Sequence, residues 1–302
     1  MDDRYQWYPG HMTKAMRMMR EQIALVDMVI EIADARIPRS SRNPDIDELT
    51  AGKPRLIILN KADLADEEKS LEWVKALRRD QAEAILMNAK DNADKGRVLN
   101  SVRKLMQERI KKLEAKGVRP EIRAMIAGIP NVGKSTFINR MAGKNLAKTG
   151  NKPGVTKGKQ WIALGEGLRA LDTPGVLWPK FEDPETGRDL AIIGSLNDVN
   201  IDLATLACEL LKIIGKNYPQ AAASFYGYDL SKAPEIMEER GYLIPEAGEL
   251  ELIAKARGCI MKGARFDLDK AAQILLTDYR AGRLGRLTLE DIHTSEGQIN
   301  HE

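Results

Sequence analysis

Eight consecutive residues, Gly128-Ile129-Pro130-Asn131-Val132-Gly133-Lys134-Ser135, combine the types needed to hold a polyphosphate. They match G-x-x-x-x-G-K-[ST], in which glycines let successive backbone N–H groups wrap phosphate oxygens. At this spacing Lys134 reaches the β- and γ-phosphate oxygens, and the Ser135 hydroxyl can ligate Mg²⁺, with Thr136 beside it. Thirty-eight residues past Lys134 comes Asp172-Thr173-Pro174-Gly175. An aspartate there can bind Mg²⁺ through water, and the Gly175 N–H can meet the γ-phosphate. Between the two lies a turn-rich loop, Asn151-Lys152-Pro153-Gly154-Val155-Thr156. Thr156, preferred over Thr149, would complete the Mg²⁺ shell only while a γ-phosphate is present.

A second set of residues suits a base. Asn60-Lys61-Ala62-Asp63 follows an apolar run. The Asp63 carboxylate can accept from guanine N1–H and N2–H₂, whereas adenine would leave it unpaired, the strong polar kind of discrimination. Asn60 would orient the loop and the base, and the Lys61 stem would cover the ring. In Asn88-Ala89-Lys90, the Ala89 N–H could meet guanine O6. The expected nucleotide is GTP or GDP.

The elements that must position these groups are legible as periodicities. Apolar runs predict strands at Met28–Ala33, Arg55–Leu59, Ala84–Met87 and Ile122–Ala127, and a hairpin Lys159–Leu164/Leu168–Leu171 around Gly165-Glu166-Gly167. Helices are predicted at Met12–Val26, at Asp66–Arg79 with Leu71, Val74 and Leu77 on one face, and at Asp94–Lys116 stopped by Gly117. Six strands interleaved with helices form a mostly parallel α/β sheet. After a Pro/Gly-marked linker only helical periods remain, at Asp202–Ile214, Ala233–Arg240, Glu246–Ile260 and Asp267–Tyr279. The expected division is a nucleotide domain over 1–178, a linker over 179–189, an all-α domain over 190–285 and a tail over 286–302.

Composition narrows the class. The chain has 302 residues and a net charge of +3, with 43% hydrophobic and 30% charged residues, as in globular proteins. From Thr186 onward 13 basic face 18 acidic residues, so the first 185 carry a net +8. Basic runs lie at Arg4, Lys14, Arg17 and Arg20, and along Arg103, Lys104, Arg109, Lys111, Lys112, Lys116 and Arg119. A smaller cluster, Lys255, Arg257, Lys262 and Arg265, sits in the acidic part. Cys208 and Cys259 form no C-x-x-C, which argues against a zinc site and suits a reducing, cytoplasmic setting. With no run of 18 apolar residues and no signal-like start, neither membrane association nor export is expected.

The five motifs resemble those of the translation-factor-related P-loop GTPases, but N-K-x-D and the Asn-Ala-Lys run precede the P-loop instead of following it. A conventional order would place N-K-x-D some 60 residues after Asp172, where YGYDLSKAPEI has no strand before it. Three strands upstream and three within the P-loop unit make the six of a Ras-like sheet, so one domain assembles from both segments. With Asp34-Ala35-Arg36-Ile37-Pro38 and Trp7-Tyr8-Pro9-Gly10-His11-Met12, the chain resembles the circularly permuted ribosome-assembly GTPases over essentially its whole length.

That resemblance implies GTP hydrolysis stimulated by a ribosomal particle. It implies partners in the rRNA and proteins of a large-subunit precursor, docked by the helical domain and the N-terminal segment. A monomer is expected. Val176 occupies the position where Ras-like enzymes place a water-orienting glutamine, so another group must act. The permutation cut leads helix Met12–Val26 into the strand after the switch, bringing His11 to the γ-phosphate side, and the resemblance points to the same histidine. The expected catalytic set is His11, Lys134, Thr156 and Gly175. In related GTPases an asparagine at the position of Asn131 coordinates K⁺ beside the phosphates. The competing reading is a guanine-nucleotide-dependent binding module with negligible turnover.

Overall fold

The computed structural model describes residues 10–88, 94–143, 161–181, 183–196, 201–236, 244–263 and 265–292, with the side chain of His11 outside that description. Among the described residues the chain divides into two units, one spanning Phe181–Leu289, the other holding the described residues up to Lys180 together with those from Glu290 onward.

The larger unit is built on six strands: β1 (Met28–Asp34), β2 (Arg55–Asn60), β3 (Ala82–Met87), β4 (Ile122–Ala127), β5 (Trp161–Gly165) and β6 (Leu168–Asp172). They form one sheet in the order β3-β2-β1-β4-β6-β5. All neighbours are parallel except β5 and β6, the two arms of the hairpin. The first three strands and the last three therefore meet at the β1–β4 pair, Val29 against Met125 and Ile30 against Ile126. This is the single sheet that the strand count required. The hairpin turn needs left-handed backbone at Gly165, Glu166 and Gly167, with φ of 110°, 47° and 77°. Glycine supplies that at the first and third positions without steric cost.

Helices cover the sheet: α1 (Gly10–Gln22), α2 (Pro44–Leu49), α3 (Glu67–Leu77), α4 (Asp94–Leu105), α5 (Gln107–Glu114) and α6 (Lys134–Ala142). Several differ from the sequence reading. The predicted first helix starts earlier, and its last turn tightens to a 3₁₀ turn, Ile23–Leu25. On α3 the buried face is Ser70, Trp73, Val74 and Leu77, whereas Leu71 stays 47% exposed. Trp73 carries the larger apolar surface and takes the core position. The single helix predicted to run to Lys116 is broken at Met106, which has left helical geometry (φ −102°, ψ 12°) and buries its side chain. The short helix α2 was not anticipated. Asn43 caps it, its side chain accepting from the Asp45 N–H, and Pro44 opens it.

The smaller unit is helical, with α7 (Pro184–Ile192), α8 (Leu203–Asn217), α9 (Ala221–Tyr226), α10 (Pro245–Ala256) and α11 (Leu268–Arg280). Helix α7 begins within the stretch read as linker and runs past it, capped by Asp183 and opened by Pro184. Asp202 and Asp267 cap α8 and α11. The helix expected at Ala233–Arg240 is absent over residues 233–236, and the remainder lies outside the described residues. Helix α10 ends well before Ile260, because Gly258 turns left-handed (φ 63°) and Ile260 instead bridges to Phe266.

Candidate functional site

The carboxyl ends of the parallel strands are in register: Asp34 faces Asn60, Asn60 faces Met87, and Ile126 faces Asp172. The loops that leave these ends converge on one edge of the sheet, where α/β proteins bind ligands. The glycine loop leaves β4 and ends at α6, with Gly133 at the helix N-cap (φ 97°). Its backbone N–H groups and the helix dipole suit an anion. Two glycines are required by close approach. A Cβ on Gly128 would lie 2.4 Å from the Ile32 carbonyl oxygen, and one on Gly133 would lie 2.4 Å from Asn60 Nδ2.

The base-end motif is joined to this loop by side chains. Asn60 Nδ2 donates to the Val132 carbonyl at 2.7 Å, and Lys61 Nζ to the Asn131 carbonyl at 2.8 Å. Both Lys61 and Asn131 have left-handed backbone, φ 60° and 63°. Such strain in a non-glycine residue persists where surrounding bonds over-determine it. Lys61 Nζ also donates to Asp34 Oδ2 at 2.8 Å. Asp34 is fully buried and receives Arg36 as well, Nε on Oδ1 at 2.9 Å and Nη2 on Oδ2 at 2.8 Å. Burial alone would raise its pKa, but the adjacent Arg36 and Lys61 charges hold the carboxyl well below the usual range. Asp63 is exposed, and the Asn88 N–H donates to the Asp94 carboxylate at 2.9 Å.

At the phosphate end, Lys134 is buried, and its ammonium donates to the Gly128 and Ile129 carbonyls at 3.0 and 2.7 Å. Burial brings its pKa down to about 8, with Asp172 opposing part of that shift. A Cβ on Gly175 would lie 2.8 Å from Lys134 Nζ and 2.8 Å from Pro130 N, so the D-T-P-G turn packs directly on the glycine loop. Thr173 anchors the turn, its hydroxyl donating to the Ile126 carbonyl at 2.6 Å. Ser135 and Thr136 stand in the first turn of α6. A hydroxyl at this helix start and the Asp172 carboxylate are hard oxygen donors of the kind Mg²⁺ would take together with the oxygens of a bound phosphate. Among the described residues no three His, Cys, Asp or Glu side chains cluster as a metal site.

Val176 is buried in a core cluster with Ala15, Met16 and Met19 of α1 and Ile46 of α2. Its carbonyl accepts from Asn43 Nδ2 at 3.1 Å. The side chain replacing a glutamine is thus part of the apolar core. The carboxyl edge of the sheet therefore unites Asn60, Lys61, Gly128, Asn131, Val132, Gly133, Lys134, Asp172 and Gly175. Ala89, Lys90, Thr156 and the His11 side chain lie outside the described residues. Sequence reasoning missed the polar partners Asn43 and Glu290, and quoted Asp34 without its role. Asn43-Pro44 was readable as a helix start, whereas nothing local marks Glu290.

The sheet and the joined motifs define a P-loop GTPase whose motif order is circularly permuted. A family model described as "50S ribosome-binding GTPase" matches residues 123–217, which begin in the strand before the glycine loop. Ribosome biogenesis GTPase A of Bacillus cereus is 44% identical over 286 residues, covering 94% of this chain and 93% of that one. The Bacillus pumilus protein of the same name is 42% identical, covering 94% and 98%. The solved structure of GDP-bound YlqF shares the fold with a TM-score of 0.64 at 24% identity, covering 92% of this chain and all of that one. The chain belongs to the ribosome biogenesis GTPase A family and hydrolyses GTP. As a GTPase it requires Mg²⁺. Among the described residues no helix is long and apolar enough to cross a membrane.

Proposed function

We infer that this GTPase is a switch in late assembly of the large ribosomal subunit. It binds the precursor particle with GTP and leaves after hydrolysis. The near-full-length kinship with ribosome biogenesis GTPases carries the ribosomal part of this reading.

Asn60 and Lys61 hold the glycine loop against the base site, and Asp63 accepts the two guanine donors, with Asn88, Ala89 and Lys90 closing on O6. Gly128, Asn131, Val132 and Gly133 present backbone N–H groups to the phosphates. The Lys134 ammonium, drawn toward the β- and γ-oxygens, neutralises charge that builds during transfer. Ser135, Thr156 and Asp172 would hold Mg²⁺, which would supply positive charge against the developing phosphate charge. Gly175 supplies an N–H at the γ-phosphate.

With Val176 committed to the core, His11 orients the attacking water. Supporting this, Ala15 and Met16, about one turn further along α1, share the Val176 cluster. Asn131 would hold K⁺, which would supply further positive charge during phosphoryl transfer. The D-T-P-G turn is followed within a few residues by the helical unit, starting at Phe181, so loss of the γ-phosphate pulls directly on the chain entering that unit.

Co-sedimentation with large-subunit precursors tests the switch. Binding should be strong with a non-hydrolysable GTP analogue and weak with GDP, and equal binding in both states would overturn it. Particle-stimulated single-turnover hydrolysis should fall at least about 100-fold in His11→Ala. It should run faster in KCl than in NaCl if Asn131 holds K⁺.

A further inference from the structure

Residues 34–43 form a loop between β1 and α2 whose polar side chains point inward. Asp34, Arg36, Ser40, Ser41 and Asn43 are each 2% exposed or less. At one end Asp34 holds Lys61 of the base motif. At the other Asn43 holds the Val176 carbonyl, next to Gly175 of the phosphate turn. Ser41 stiffens the interval, accepting from the Asp34 N–H at 2.9 Å and donating to the Ile37 carbonyl at 2.6 Å. One short segment thus grips both ends of the nucleotide site.

The middle of this loop is gripped by a residue more than two hundred positions away. Glu290 is buried, and its carboxylate accepts the Arg39 N–H at 2.6 Å and the Ser40 N–H at 2.9 Å. Its carbonyl accepts from Trp73 Nε1 at 3.3 Å. Asp291 pairs with Lys69, and Ile292 packs on the cluster around Trp73. Glu290 is the first residue of the chain's return from the helical unit, which ends at Leu289. A buried carboxylate bonded to two backbone N–H groups fixes the loop far more firmly than a surface pair would.

We propose that Glu290 is a positioning residue for guanine nucleotide: it clamps loop 34–43, and through that loop it couples occupancy of the site to the fastening of the chain's return from the helical unit. Nucleotide bound at Lys61 and Gly175 steadies both ends of the loop and so tightens the Arg39 and Ser40 bonds to Glu290. Whatever draws the end of the helical unit away releases the clamp and lowers nucleotide affinity by the same factor, because binding coupling is reciprocal. The inference rests on the guanine-site reading above.

The test uses the full chain. In the wild type, saturating GDP should slow amide exchange of the Arg39–Ser40 segment about fivefold or more. Glu290→Gln keeps the volume but sets an amide N–H₂ against one of the two donors, and should raise the GDP dissociation rate by a similar factor. Lys75→Ala, on the exposed face of α3, touches neither the loop nor the returning chain and should leave that rate unchanged. Exchange indifferent to GDP in the wild type overturns the proposal, as does wild-type GDP release from a folded Glu290→Gln. Should that variant not fold, the wild-type exchange decides alone. Failure of the wild type to bind GDP would instead strike the guanine-site reading.

Discussion

The two ends of the nucleotide site are organised in opposite ways. At the base end the side chains satisfy one another: Asn60 bonds Val132, and Lys61 lies between the Asp34 carboxylate and the Asn131 carbonyl. At the phosphate end the ammonium of Lys134 is buried against carbonyl oxygens, and burial lowers its pKa to about 8. The first end is pre-organised before any ligand arrives. The second carries a charge that only an anionic ligand fully compensates. Specificity is thus built into rigid parts, while at the phosphate end a buried charge is left for the ligand to compensate.

The contrast can be broken at either end. Asp63→Asn should have the largest effect, lowering guanine-nucleotide affinity by about four orders of magnitude, the scale for a polar group left unmatched. Xanthine nucleotides, which present a carbonyl where guanine has N2–H₂, should bind the variant better than guanine does. Competition titration with the two bases checks this. Lys134→Ala should cost about 2–5 kcal/mol of affinity for GDP and GTP alike, measured by calorimetry, while leaving base preference intact. An altered base preference would show that the ends are not separable. Gly133→Ala forces a methyl toward Asn60 Nδ2 at a left-handed residue, and should lower stability by about 1–3 kcal/mol in thermal unfolding.

The smallest effect is a proton. The buried Lys134 titrates near pH 8, and phosphate oxygens favour its charged form, so binding raises that pKa. Nucleotide binding should therefore take up a fraction of a proton above pH 8 and almost none at pH 6. Calorimetry in buffers of different ionisation enthalpy measures it directly. The same group affects folding. Its pKa in the folded state lies below the ordinary lysine value of 10.5, so the unfolded chain binds more protons between about pH 8 and 10.5. Over that window stability of the nucleotide-free protein rises with pH through this group.

Much of the site was legible because its signals are local. The glycine loop, N-K-A-D and D-T-P-G each sit within a few residues of a strand end, and counting strands joined them in one sheet. The polar scaffold was not legible, because its partners are distant in sequence: Lys61 to Asp34 across 27 residues, Asn43 to Val176 across 133, Glu290 to Ser40 across 250. Period alone also misplaced one helix face. The spacing of Leu71, Val74 and Leu77 fitted a helix, but Trp73 took the core position and left Leu71 toward solvent. Asp94–Lys116 read as one helix because a buried methionine at 106 is compatible with continuing a helix and with interrupting it.

The seam between β1 and β4 also sets a timetable for biosynthesis. The strands that carry the N-K-A-D loop are translated before the glycine loop, and β1 has an open edge until residues 122–127 arrive to pair with it. The Glu290 clamp comes last. At about 5–20 residues per second, roughly eight to thirty seconds separate pairing at that edge from the arrival of that carboxylate. A nascent chain therefore holds the phosphate loop and the base loop together well before the clamp can close, so a truncated product would carry a nucleotide site without the clamp on loop 34–43.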